Sequence, residues 1–362
     1  MQPLSLFLAA PPGLEAVLAE EAAEAGFASP VTVPGGVEIA GGWDEARRAN
    51  VTLRGAGRVL ARIAEFRAFH PAQLDKRAHK VAWDEVLPKG VPVKVEATCR
   101  RSKIYHAGAA ASRVEGAIAA ALGPPPEGDD PLRVMVRIED DLVSISVDTS
   151  GEPLHKRGHK LAVGKAPLRE TLAALFLRQM GYRGDVPVVD PMCGSGTFVI
   201  EAAEWALGLP PGRGRDFALD RLPVAVAKAP APEPREIAFG FVGSDRDAGA
   251  VRMASQNAAR AGVDAVALFE RRAIRDAAPP DGPPGIVMVN PPYGARIGDR
   301  KLLFSLYGAF GQTMKEGFGG WRVGLVTSDG GLAKATGLGL EPAGPPVPHG
   351  GLKVTLWRGE MG

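Results

Sequence analysis

The strongest constraint on the fold is a short apolar run that ends in an acid, turns on two glycines and reopens as an apolar helix. Val186-Pro187-Val188-Val189-Asp190 reads as a strand and Pro191-Met192-Cys193-Gly194-Ser195-Gly196-Thr197 as the turn. Residues 198–207 read as the helix, with Gly208 as its C-cap. Gly194 and Gly196 permit a backbone that other residues resist and leave room for a close-approaching ligand. Further strand-like runs follow at 239–243, 266–269 and 285–289, spaced by helix-length segments. That alternation predicts an α/β fold, a Rossmann-like, doubly wound and mostly parallel sheet. Such sheets keep their sites at the carboxyl ends of the strands.

The chemistry of the turn narrows its ligand. A dinucleotide-binding turn carries a third glycine at the place where Val199 stands. Asp190 sets a carboxylate beside the loop, which repels a pyrophosphate and suits a cationic, amino-acid-bearing ligand. S-adenosylmethionine is such a ligand; an ordinary strand–helix turn is the plain alternative. The next strand runs into Ser244-Asp245-Arg246-Asp247, where Asp245 is the candidate acceptor for ribose hydroxyls. Asp247 reads as the N-cap of a helix that runs to Arg260 and closes on Gly262.

Asn290-Pro291-Pro292-Tyr293 follows the run at 285–289. An exocyclic amine on a nucleobase is a poor nucleophile, because its lone pair is delocalised into the ring. An asparagine amide oxygen and a backbone carbonyl, held side by side, accept both amine protons and draw that lone pair out of conjugation. Two prolines stiffen the backbone so that the second carbonyl points inward. Tyr293 then offers a stacking face to an extruded base. The plain alternative is a Pro-rich turn with Tyr293 as packing. Asn290, Pro291, Pro292 and Tyr293 are the catalytic candidates, and direct methyl transfer is the mechanism they suit.

At 362 residues the chain has room for two or three domains. Net charge is only +2, but it is unevenly spread. No Lys or Arg precedes Arg47, whereas from Arg47 to Ala110 fourteen Lys and Arg stand against five acids. This excess suggests a nucleic-acid-facing surface; a solvated basic face is the alternative. Arg100, Arg101 and Lys103 stand beside Tyr105 and His106, offering phosphate contacts next to a stacking ring. The two cysteines, Cys99 and Cys193, are too few for a disulfide framework and wrongly spaced for zinc, so no metal is expected. No run reaches the ~20 apolar residues that span a bilayer. A cytoplasmic location without membrane contact is the simplest expectation.

Punctuation divides the chain into a small α+β unit at 1–50, a second segment at 51–149 and a catalytic domain at 150–362. An alternating hairpin is expected around Glu139-Asp140-Asp141, with strands within 132–147. Leu168, Leu172, Leu175 and Phe176 repeat at helical spacing, with Pro167 at the helix start, and read as core. The segment 209–236, rich in Pro, Ala and Arg, reads as a long solvated connection. Arg213 and Arg215 in it are candidate RNA contacts, with a mobile solvated loop as the plainer reading.

With these motifs in hand the chain resembles THUMP-domain RNA methyltransferases. The resemblance rests on Asp190 to Thr197, Ser244 to Asp247 and Asn290 to Gly294. Leu154-His155-Lys156-Arg157-Gly158-His159, Ala166 to Leu172 and Ser102 to His106 extend it over nearly the whole chain. It is most similar to the branch that methylates guanine N2 in bacterial 23S ribosomal RNA, in the form without a fused second methyltransferase. The resemblance implies a ferredoxin-like unit at 1–50, a THUMP RNA-binding domain at 51–149 and S-adenosylmethionine as cofactor. It implies cofactor contacts from Asp190, Pro191, Met192, Cys193, Gly194, Ser195, Gly196, Thr197, Asp245, Arg246 and Asn290. RNA contacts are implied for Arg100, Arg101, Lys103, Tyr105, His106, Lys156 and Arg157. Two positions depart from the family pattern. Ala273 stands where an acid near the adenine is expected, with Asp276 as the candidate replacement, and Ala295 stands where a glutamate is expected. Alternative targets are a tRNA guanine or an adenine N6 amine, DNA included. A catalytically silent RNA-binding protein is the reading from a different class.

Overall fold

The computed structural model describes residues 4–161, 168–230, 232–293 and 300–362. Pro167, Gly294 and Ala295, which carried expectations, lie outside the described residues. The chain forms two compact units. The first holds the residues up to Ala10, Ala19–Leu154 and Arg215–Ala229; the second holds Pro11–Leu18, His155–Gly214 and Pro230–Gly362.

In chain order the first unit begins with β1 (Leu4–Ala9), α1 (Glu15–Glu24, which straddles the division), β2 (Ala28–Val33), β3 (Gly36–Gly41) and α2 (Trp43–Thr52). It continues with β4 (Val59–Arg67), α3 (Pro71–Ala78), α4 (Trp83–Val86), β5 (Val93–Arg100), α5 (Ala107–Leu122), β6 (Leu132–Glu139) and β7 (Leu142–Asp148). One seven-stranded sheet runs in the order β2-β3-β1-β4-β7-β6-β5. Because β1 pairs antiparallel with β4, that sheet continues unbroken across residue 50. The expected hairpin is β6–β7, and Asp140 and Asp141 at its tip have φ of 50° and 63°. Positive φ at both central residues is the turn whose twist matches the flanking strands.

The connection at 209–236 differs from expectation. Its middle returns to the first unit, where Phe217 and Leu219 are buried and Asp220 accepts from Arg47 at 2.6 Å. Arg215 donates to the carbonyls of Pro153 (3.0 Å) and Glu152 (2.8 Å), and Arg213 pairs with Glu204 at 2.6 Å. Its two arginines are therefore tethers, and composition alone hid the apolar anchors set among the prolines.

The second unit contains α6 (Glu170–Gln179), β8 (Val188–Asp190), α7 (Thr197–Ala206), β9 (Phe241–Asp245), α8 (Ala248–Ala261), β10 (Ala267–Arg271) and β11 (Ile286–Val289). After these come α9 (Arg300–Gly317), β12 (Arg322–Thr327), α10 (Gly330–Ala335), β13 (Glu341–Pro342), β14 (Val347–His349) and β15 (Leu352–Glu360). Strand order is β10-β9-β8-β11-β12-β15-β13, with β14 on β15. The five strands from β10 to β12 are parallel and β15 is antiparallel to β12. β11 is buried throughout, which accounts for its unbroken Ile286-Val287-Met288-Val289 run. The direction of winding reverses between β8 and β11, which opens a crevice at their carboxyl ends. Among the described residues no helix is long and apolar enough to cross a membrane.

Candidate active site

The motifs singled out in the sequence converge on that crevice. A cleft of about 290 Å³ is lined by Pro191, Met192 and Gly194 after β8, Asp245 and Arg246 after β9, and Asn290 to Tyr293 after β11. Ile274 and Leu306 complete its wall. Asp276 is exposed and lies outside the lining; Ile274, two residues earlier, reaches the cleft in its place.

The two glycines of the turn serve different ends. Gly194 has φ 53° and nothing within 4 Å of the place a Cβ would occupy, so its backbone is open to a ligand. Gly196 has φ 84°, and a Cβ there would stand 3.0 Å from the Phe269 ring and 3.1 Å from Ala254. Its lack of a side chain seats the turn against β10 and α8. Asp245 holds the same turn: one carboxylate oxygen accepts from Gly194 N–H at 3.1 Å and the other from Asp247 N–H at 2.9 Å. Asp247 caps α8 by accepting from Gly249 N–H at 2.8 Å.

Asp190 sits behind the turn, 3% exposed, and accepts from Met192 N–H at 3.1 Å. Burial pushes its carboxyl well above the usual carboxylate range, and the neighbouring Asp245 charge adds to this. Burial likewise raises the Cys193 thiol, which makes it an inert packing group. A folded pKa above the unfolded value of ~3.9 contributes stability below that value and loses it as pH rises through the folded pKa. The free protein is therefore expected to lose thermal stability as pH rises above the ordinary carboxylate range. Asp190→Asn should flatten that decline in a melting series across pH; an unchanged slope would remove Asp190 as its source.

At the far wall Asn290 presents a buried Oδ1 that has no hydrogen-bond partner among the described residues. The Pro292 carbonyl accepts from the Tyr307 hydroxyl at 3.2 Å, and that hydroxyl also lies 3.5 Å from Thr327 Oγ1. Burial drives the Tyr307 phenol upward and pushes Tyr293 up to about 12, so both stay protonated in ordinary conditions. Sequence reading missed Tyr307. Its signal was an aromatic with a polar tip on the buried stripe of Leu303, Phe310 and Met314, where a hydroxyl needs a partner.

A chain of ion pairs braces the helix behind the turn. Arg157 pairs with Glu201 at 3.2 Å, their side chains 2% and 1% exposed. Arg157 is therefore withdrawn from the RNA-facing set, because a guanidinium committed to a buried carboxylate cannot reach a phosphate; Lys156 beside it is exposed. Burial lowers His159 to about 4, so it meets Glu204 at 3.6 Å as a neutral ring. Lys160 Nζ donates to Thr197 Oγ1 at 2.8 Å and pairs with Glu170 at 3.2 Å, tying the first residue of α7 to α6. Neither Lys160 nor Glu204 was legible as part of the site. Ser195 and Cys193 are buried within the turn.

In the first unit, Tyr105 is 83% exposed and Lys103 lies 5.0 Å from the Phe69 ring. Arg101 is answered locally by Glu139 (2.9 Å) and Asp140 (3.0 Å). His106 caps α5 by accepting from Ala109 N–H at 3.0 Å. All five of Arg100, Arg101, Lys103, Tyr105 and His106 are exposed, but Arg101 and His106 are engaged by these local partners. Among the described residues no group of three or more His, Cys, Asp and Glu has a metal-binding arrangement.

The cleft fits S-adenosylmethionine on its own features: an open glycine backbone at Gly194, the Asp245 carboxylate at the end of β9, and an apolar wall at Ile274 and Leu306. Comparison with known proteins agrees. Residues 157–339 match the family described as RMKL-like, methyltransferase domain, and residues 5–60 match the RlmL ferredoxin-like domain. A ribosomal RNA large subunit methyltransferase K/L from Syntrophotalea carbinolica is 36% identical over 93% of this chain and 51% of its own length. The chain spans about half the length of the curated relatives it matches. The crystal structure of SMU.472 complexed with SAH superposes with a TM-score of 0.87 at 26% identity, covering 100% of this chain and 99% of the other. A protein from Listeria monocytogenes, named as a predicted N6-adenine-specific DNA methylase, gives 0.83 at 28% identity over 99% and 96% of the two chains. The family match takes in the loops after β8, β9 and β11, so the parts of the chain that build the cleft are those that define its kind: the chain belongs to the RMKL-like methyltransferase family, with S-adenosylmethionine as cofactor.

Proposed function

We propose that the chain methylates the exocyclic N2 amine of a guanine in 23S ribosomal RNA. The observation that carries this reading is the buried Asn290 Oδ1 at the carboxyl end of β11, which has no partner among the described residues. Because Tyr307 occupies the Pro292 carbonyl, Pro291 supplies the second acceptor. Two acceptors match the two protons of a primary exocyclic amine, and Tyr293 supplies the stacking face for a base drawn out of its helix. When bound, the sulfonium cofactor supplies an activated methyl group, so this chain needs no covalent nucleophile. Asn290 and Pro291 orient the amine and stabilise the positive charge it gains on transfer, and water takes its proton afterwards. Catalysis is then positioning and polarisation. The names of the curated relatives favour ribosomal RNA, and Arg100, Lys103, Tyr105 and Lys156 are the RNA contacts this reading retains.

A second reading keeps the chemistry and changes the base to adenine N6, which the name of the Listeria relative favours. The two separate by mass spectrometry of nucleosides after incubating the chain with cofactor and 23S rRNA or tRNA. N2-methylguanosine in 23S rRNA alone is the expected product. A methyladenosine, or methylguanosine confined to tRNA, would overturn the substrate and keep the mechanism.

A further inference from the structure

Helix α9 carries the residues that serve the cleft on one stripe and an unexplained aromatic beside it. Leu303, Tyr307, Phe310 and Met314 face the core, and Leu306 reaches the cleft wall. Phe304 stands off that stripe and is 38% exposed, with Leu302 beside it at 69%. The Arg300 guanidinium lies 5.7 Å from the Phe304 ring centroid, and its side chain is 78% exposed. Arg300 approaches Asp329 only to 3.8 Å, while that carboxylate is engaged at 2.8 Å in capping α10 through Gly331 N–H. A Cβ at Gly331 would stand 3.8 Å from the tip of the Phe304 ring, so glycine there leaves that end of the ring uncovered. The position is close to the reacting motif: one turn along the same helix, Tyr307 bonds the Pro292 carbonyl, and it reaches Thr327, whose hydroxyl accepts from Asp329 N–H at 3.2 Å.

We propose that Phe304 and Arg300 form a subsite for the nucleotide adjacent to the methylated base, the ring stacking on that base and the guanidinium meeting its phosphate. The inference rests on the RNA methyl-transfer reading and extends it to the strand on either side of the target. Drawing one base out of a strand leaves its neighbour unstacked, and an exposed aromatic with a loosely held cation replaces what the neighbour loses. The ring stands off the buried stripe of α9, and the Arg300 guanidinium near it is held only at 3.8 Å by an Asp329 carboxylate that already caps α10, so that cation is open to a phosphate.

Steady-state methylation of an RNA fragment by wild type, Phe304→Ala, Phe304→Trp and Arg300→Ala tests it. Phe304→Ala should raise KM for RNA about tenfold, the scale of one lost base stack. kcat and cofactor affinity should stay near wild type, and Phe304→Trp should restore KM. Arg300→Ala should lower the slope of log KM against log salt by about 0.7, one phosphate on a single strand. Unchanged KM in both alanine variants, while wild type methylates the RNA, sinks the subsite and leaves the function standing. Absence of RNA methylation by wild type sinks both. A shift in oligomeric state on sedimentation with unaltered KM would assign the patch to a second copy and overturn the proposal.

Discussion

Asn290→Ala is expected to lower the rate of methyl transfer by about 10²–10³-fold, the loss seen when one preorganised polar group is removed from a reacting centre. The amide oxygen is already buried and has no partner among the described residues, so its desolvation is settled during folding and no reorganisation is needed when the amine arrives. Alanine leaves one amine proton without an acceptor and the lone pair in conjugation with the ring. Cofactor affinity should change little, since Gly194 and Asp245 hold the opposite part of the cleft. Asn290→Asp keeps an acceptor at the same place and should retain more activity than alanine. Single-turnover methylation with saturating cofactor measures both. An alanine variant at full rate would remove Asn290 from the chemistry.

The second large effect is on stability. Arg157→Ala removes one member of an ion pair in which both side chains are almost wholly buried. Breaking such a pair by deleting one partner costs about 3–5 kcal/mol, because the remaining charge stays in a poorly solvated place. Glu201 lies on the helix that follows the cofactor turn, so the loss should appear as a lower melting temperature and weaker cofactor binding together. Changing both partners to apolar residues, Arg157→Met with Glu201→Leu, should recover much of the stability. Thermal melts of the three variants decide this. A stable Arg157→Ala protein with reduced RNA affinity would instead return Arg157 to the RNA surface.

How far the site could be read in advance depended on the range over which each residue acts. The turn from Asp190 to Thr197, the acids after β9 and the Asn-Pro-Pro-Tyr run are local motifs, in which sequence spacing sets geometry directly. Their meeting in one cleft followed from the expected parallel winding. Arg157 went the other way: its charge suggested a surface, and only α7 packing over it showed that the charge is spent inside. Arg213 and Arg215 looked like parts of a loose linker until Phe217 and Leu219 proved to anchor it. Tyr307 and Lys160 act across gaps of fifteen and thirty-seven residues, on Pro292 and Thr197, and no local pattern announces such pairs.

By itself, then, the sequence determined the succession of strands and helices, the glycine turn with its acids and the Asn-Pro-Pro-Tyr run that follows β11. These depend on φ/ψ preferences and side-chain chemistry within a few residues. Tertiary structure alone decided which charges face water, which carbonyl of that run Tyr307 occupies and which aromatic on α9 stays uncovered. Those outcomes depend on what packs over each group, and that is settled by residues far away in the chain.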